Sequence, residues 1–174
     1  MLSYKQYFLG KASEILNIFI NSSRFPPDMV SLNTVVESVA RHCWYEAEIE
    51  FQLSTNLPDI YDELPFDLYK GICNLFCEIS KHSESNKRRI KTSLVNEIQV
   101  LEAAWNGRQI QQKVIDLINE NYREGARSQF QPHINGTKIA GYFLAQFKGT
   151  IILENFQDGI YAVRNVVEMP VKYK

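Results

Sequence analysis

The sequence predicts an α+β fold, a two-layer α/β sandwich in which helices cover a mixed sheet. Three observations predict it. Apolar residues recur at helical spacing in blocks of about 14–19 residues. Strand-like runs occupy 46–53, 88–105 and 149–169. The two kinds interleave as helix, helix, strand, helix, two strands, helix, helix, two strands. Helices grouped between antiparallel strand pairs fit a single mixed sheet better than a bundle or a barrel.

Residues 4–22, YKQYFLGKASEILNIFINS, read as the first helix, with Phe8, Ala12, Ile15, Leu16 and Phe19 in register. Tyr4, Leu9, Ile18 and Ile20 widen the apolar stripe beyond one packing partner, so this helix expects neighbours on more than one side. Pro26 and Pro27 in RFPPDMV stop it. The stretch 23–30 is the expected hinge, between a helical segment over 1–25 and a domain over 31–174. Ser31 can cap the second helix, which runs to about Trp44. EAEIEFQL alternates, with Ala47, Ile49, Phe51 and Leu53 on one side of a half-buried strand. STNLPDIYDELP reads as a loop. Leu68, Ile72, Leu75, Phe76 and Ile79 mark a helix over 66–81. RRIKTSLV and EIQVLEAAW form two strands around Asn96-Glu97.

Ile110, Val114, Ile115 and Ile118 mark an amphipathic helix over 108–121. NYREGARSQFQ after it is polar and loop-like. A last helix spans 133–147, with Ile139, Phe143, Leu144 and Phe147 inward. GTIILEN and GIYAVRNVVEM close as a hairpin through Gln157-Asp158-Gly159.

The chain has 174 residues, 45% hydrophobic and 22% charged, a globular composition able to bury a core without disulfides. A formal net charge of -1 gives no general attraction to nucleic acid or membrane surfaces. No apolar run approaches the ~20 residues of a membrane span. Cys73 and Cys77 share a helical face and, with Cys43, read as buried apolar thiols, because no zinc-type spacing surrounds them. An odd cysteine count without a leader fits a cytoplasmic protein.

KGICNLFCEISKHS (70–83) resembles the histidine-kinase helix that ends in an Asn-Ala-x-Lys-His-Ser run. INGTKIAGYFLAQFKGTIILEN (134–155) is similar to that family's glycine-box helix and following strand. With SSRFPPDMVSLNTVVESVA, the likeness covers nearly the whole chain. It implies the kinase ATP-binding domain, preceded by the second helix of a dimerisation hairpin. The departures bear on function. Glu78 stands where the family carries its magnesium-binding asparagine, and its charge opposes triphosphate oxygens. Trp105 stands in place of the aspartate that reads adenine, and an indole has no acceptor for the adenine amino group. Asn106-Gly107 is followed by Arg108-Gln109 rather than a second glycine, and the later box offers only Gly136 and Gly141. These positions together read as a degenerate nucleotide site.

AAWNGRQIQQKVIDLI and PHINGTKIAGYFLAQFKGTIILENFQDGIYAVRN resemble, in order and spacing, the alphaproteobacterial histidine phosphotransferases of the ChpT type. That family pairs a dimeric helical hairpin with a degenerate kinase-like domain. The resemblance implies receiver domains of a hybrid histidine kinase and a response regulator as partners, and a homodimer through the N-terminal helix. Asn21, Ser22, Arg24, Phe25 and Met29 are the expected receiver-docking residues.

Phosphotransfer in that family uses a histidine followed by an acidic residue on the first hairpin helix. Here His42, His82 and His133 precede Cys43, Ser83 and Ile134. His42 and His82 read as helix-end residues, and His133 follows Pro132 at a helix start. The expectation is a chain that begins after the acceptor helix and lacks an evident phosphoacceptor. No catalytic residue, cofactor or metal ligand is assigned.

Lys87, Arg88, Arg89 and Lys91 read as a solvated basic cluster, since the chain is otherwise charge-balanced. Asp59, Asp62 and Glu63 lack calcium-loop spacing. A phosphorelay phosphotransferase-like protein that does not bind ATP is the leading expectation. A binding-only pseudokinase adaptor and a residual ATP-binding kinase are the alternatives.

Overall fold

The computed structural model describes residues 29–61, 67–82, 86–106, 108–129, 132 and 135–171. The helix expected over 4–22, and with it Asn21, Ser22, Arg24 and Phe25, lies outside the described residues. In chain order come β1 (Met29–Val30), α1 (Leu32–Cys43), β2 (Glu48–Gln52), β3 (Ile60–Tyr61), α2 (Asp67–His82) and β4 (Lys87–Val95). Then follow β5 (Ile98–Asn106), α3 (Gln112–Arg127), α4 (Gly136–Ala145), β6 (Thr150–Asp158) and β7 (Tyr161–Pro170).

Five strands form one sheet in the order β2-β4-β5-β7-β6. β2 and β4 run parallel, which requires the crossover supplied by α2. The other neighbours are antiparallel, so the sheet is mixed, as the sequence predicts. Alternation along β7 buries Tyr161, Val163, Asn165, Val167 and Met169 on one face. That face meets Leu32 and Val36 of α1, Leu75 and Phe76 of α2, Ile115 of α3 and Leu144 of α4 in one hydrophobic core. The other face carries exposed or half-buried charge, where Arg164 bridges Glu102 and Glu154 across three strands. Such solvent-facing pairs set register more than stability.

Four local differences from the sequence reading have physical causes. Within the expected loop 54–65, Ile60–Tyr61 pairs antiparallel with Met29–Val30, part of the expected hinge. Two-residue strands leave no periodicity to detect. α3 runs to Arg127 rather than stopping at 121, because Ile115, Ile118, Tyr122 and Gly125 continue one buried face. The polar stretch around Gly125 reads as a loop along the sequence, but the glycine is a packing position in the structure. α4 begins at Gly136, where the Asn135 side chain accepts from the Thr137 and Lys138 amides. The β6–β7 turn is Gly159-Ile160, one residue later than expected, with Gly159 at a φ of 62°. The β4–β5 turn lies where the sequence places it, and Asn96 and Glu97 hold φ values of 49° and 64°.

β6 is an edge strand, with backbone groups facing away from β7. Asn119 of α3 satisfies them: its Nδ2 donates to the Leu153 carbonyl at 2.9 Å, and its Oδ1 accepts from the Leu153 amide at 2.7 Å. Asn155 does the same for Ile110, at 2.8 and 2.9 Å, and pins the segment between β5 and α3. Both amides act as short pieces of strand. Asn119→Leu should cost about 2–4 kcal/mol, since two part-buried backbone groups lose their partners together. Urea unfolding checks this, and a change below about 0.5 kcal/mol would show that the edge is solvated instead.

Candidate functional site

The positions singled out in the sequence converge between α2, the end of β5, α3 and α4. Glu78 of α2, Trp105 of β5 and Thr137 of α4 line the same void with Ile118 and Tyr122 of α3 and Leu153 and Asn165 of the sheet. The void measures about 10 Å³, roughly the space of one water and far below that of a nucleobase. Among the described residues, buried side chains line it closely. Trp105 is 2% exposed and belongs to the core, beside Val163 on β7 and Arg88 on β4. Tyr122 is buried, and its hydroxyl lies 3.2 Å from Asn165 Oδ1 as donor. Burial, and behind it the charge of Glu78, holds the Tyr122 phenol above its usual range. The proton therefore stays on the hydroxyl and available to Asn165. Sequence spacing could have found Tyr122, four residues after Ile118, but the polar run around it reads as a loop.

Glu78 pairs with Lys81 one turn along α2 and is mostly buried on its side-chain atoms. A Cβ on Gly136 would stand 2.2 Å from the Glu78 carboxylate. Gly136 thus gives Glu78 its room at the start of α4. Gly141 has a different partner: a Cβ there would stand 2.2 Å from the Tyr122 carbonyl oxygen. It lets α4 lie against α3. Asn106 ends β5 next to a register shift, and its buried Oδ1 has no hydrogen-bond partner. Gly107 lies outside the described residues. Met29 sits in β1, paired with Tyr61.

His42 closes the last turn of α1, half-buried, where the helix C-terminus favours a cation. His82 is the last residue of α2, and His133 lies outside the described residues. Two features were not legible in the sequence. Cys43 of α1 joins Cys73 and Cys77 of α2, 3.7 Å from each sulfur. Arg88, expected in solvent, is 7% exposed and lies over the Trp44 ring at 4.7 Å. Of the basic cluster, Arg89 pairs with Asp158 and Lys91 with Glu102.

No protein-family model and no curated protein matches this sequence. Solved structures match it by fold. The Mycobacterial sensor histidine kinase MprB superposes with a TM-score of 0.62 at 12% identity, over 83% of this chain and 97% of that one. The catalytic domain of histidine kinase ThkA gives 0.58 at 16% identity, over 84% and 97%. The Acinetobacter baumannii histidine kinase AdeS gives 0.55 at 13% identity, over 96% and 78%. At such identities the likeness establishes architecture. The chain has the mixed α/β fold of a histidine-kinase catalytic domain. Among the described residues, no helix is long and apolar enough to cross a membrane.

Proposed function

We propose that this chain is a phosphorelay protein of the histidine phosphotransferase type, whose kinase-like domain holds receiver domains and does not bind ATP. The observation that carries the reading is that, among the described residues, Trp105 and Tyr122 are buried around a void of only about 10 Å³. The carboxylate of Glu78 at its edge is a second obstacle to a triphosphate. The kinase fold and the ChpT-type pattern over 103–118 and 132–165 support two-component signalling as the setting. The partners proposed are receiver domains of a hybrid kinase and of a response regulator. Asn21, Ser22, Arg24, Phe25 and Met29 are the proposed contacts, and residues 4–22 the proposed homodimer seam.

Magnesium-ATP is expected to leave the melting temperature unchanged. A ligand at a hundred times its Kd stabilises by about 2.7 kcal/mol, or roughly 5–10 °C for a chain of this size. A saturable shift would overturn the loss of ATP and favour a residual kinase. Receiver binding is tested by calorimetry against a panel of isolated receiver domains, alongside transfer from phosphorylated receivers. Binding with no acid-labile label on the chain would favour the adaptor reading. Absence of binding to every receiver would sink the phosphorelay assignment.

A further inference from the structure

Cys43 ends α1, and Cys73 and Cys77 stand one turn apart on α2. Packing of the two helices brings all three sulfurs within 4.8 Å of one another, with Cys43 at 3.7 Å from each of the others. A cation held by thiolates at about 2.3 Å sets neighbouring sulfurs about 3.8–4.0 Å apart. The trio therefore needs only small rotations about Cα–Cβ to become a ligand set. All three are free thiols and half-buried.

Arg88 is the independent second observation. Arg88 is 7% exposed, and its Nε and Nη1 have no hydrogen-bond partner among the described residues. It lines an open pocket of about 260 Å³ with Cys43, Trp44, Ser80 and Asn86. A buried cation without an anion is costly, and the Trp44 ring offsets that only in part. The fold thus keeps positive charge beside the sulfurs and a route from solvent to Cys43.

We propose that Cys43, Cys73 and Cys77 form a three-thiolate site for a soft cation, copper(I) in trigonal coordination, with Arg88 balancing the loaded site. Three S–H bonds break and three Cu–S bonds form. The protons leave to solvent, and the copper–thiolate group carries two negative charges beside Arg88. Among the described residues no other Cys, His, Asp or Glu joins the group as a fourth ligand. Thiolates suit both zinc and copper(I), but structural zinc almost always takes four protein ligands, so three sulfurs without a fourth favour copper(I). The site lies apart from the void between Trp105 and Tyr122, so it stands or falls independently of the nucleotide reading.

The test uses the whole chain, reduced and without oxygen, titrated with copper(I) against a chromophoric chelator and with zinc(II) in parallel. One copper per chain is expected, with a thiolate-to-copper ultraviolet band and alkylation of all three cysteines slowed about tenfold or more. Cys73→Ser and Cys43→Ser should each abolish the band, and Arg88→Met should weaken copper binding without changing its stoichiometry. An unaltered alkylation rate and no band in the unsubstituted chain would overturn the site, with no variant needed. A chain that takes one zinc and rejects copper would overturn the trigonal assignment.

Discussion

Gly125→Ala and Gly141→Ala are each expected to destabilise the protein, although glycine to alanine inside a helix ordinarily stabilises by about 1 kcal/mol. The reversal comes from where the new methyl group would stand. At Gly125 it would lie 2.0 Å from the Lys138 carbonyl oxygen, and at Gly141 2.2 Å from that of Tyr122. Both obstacles are backbone, which cannot swing aside as a side chain can. α3 and α4 would have to separate, pulling Tyr122 and Leu144 from the core. Overpacking of this kind costs about 1–3 kcal/mol, and more where backbone must move. A net loss of about 1–3 kcal/mol lowers the melting temperature by roughly 3–10 °C. Because both contacts lie on one helix–helix seam, the double variant should cost less than the sum.

Gly136→Ala is the internal control. Its methyl would meet the Glu78 carboxylate, the far end of a flexible side chain. It should cost less than either of the others. Thermal melts of the three variants decide the matter. A rise in melting temperature for Gly125→Ala or Gly141→Ala would mean that the helices are farther apart than the structure places them.

The same seam explains what the sequence could disclose. Long-period signals were legible: the alternating strands, the apolar stripe of α2, and the order that names the kinase-like fold. Each is a local pattern repeated over many residues. What was not legible depends on residues distant in sequence meeting in space. Gly141 reads as part of a sparse phosphate box, yet a Cβ there would run into the Tyr122 carbonyl. Cys43 is 30 residues from Cys73 and no spacing rule joins them. Arg88 sits in a basic run that looks solvated, yet it stands opposite Ile49 of β2 and Trp105 of β5, so its side of the strand turns inward. At the candidate site, the order Glu78, Trp105, Gly136 was visible. That Tyr122 fills the space between them was hidden in a polar segment.

Trp105→Ala should have one of the larger effects among the described residues. The side chain is 2% exposed on β5, between β4 and β7. Removing a buried indole costs about 3–5 kcal/mol, from lost transfer energy and the cavity left behind. Trp105→Phe keeps most of the ring and should cost about half as much, so it gives a folded variant if alanine does not. The loss also tests the reading of the site. If the indole occupies space that a base could otherwise use, the alanine variant should bind free indole, and its melting temperature should recover as indole is added. The unsubstituted protein should show no such response. Magnesium-ATP should still fail to bind the variant, because Tyr122 and Glu78 continue to line the place and Asn165 holds the Tyr122 hydroxyl. Binding of ATP to Trp105→Ala would mean that one side chain alone closes a site otherwise intact. The kinase-like domain would then be a blocked nucleotide site, one substitution from function, rather than a scaffold rebuilt for another use.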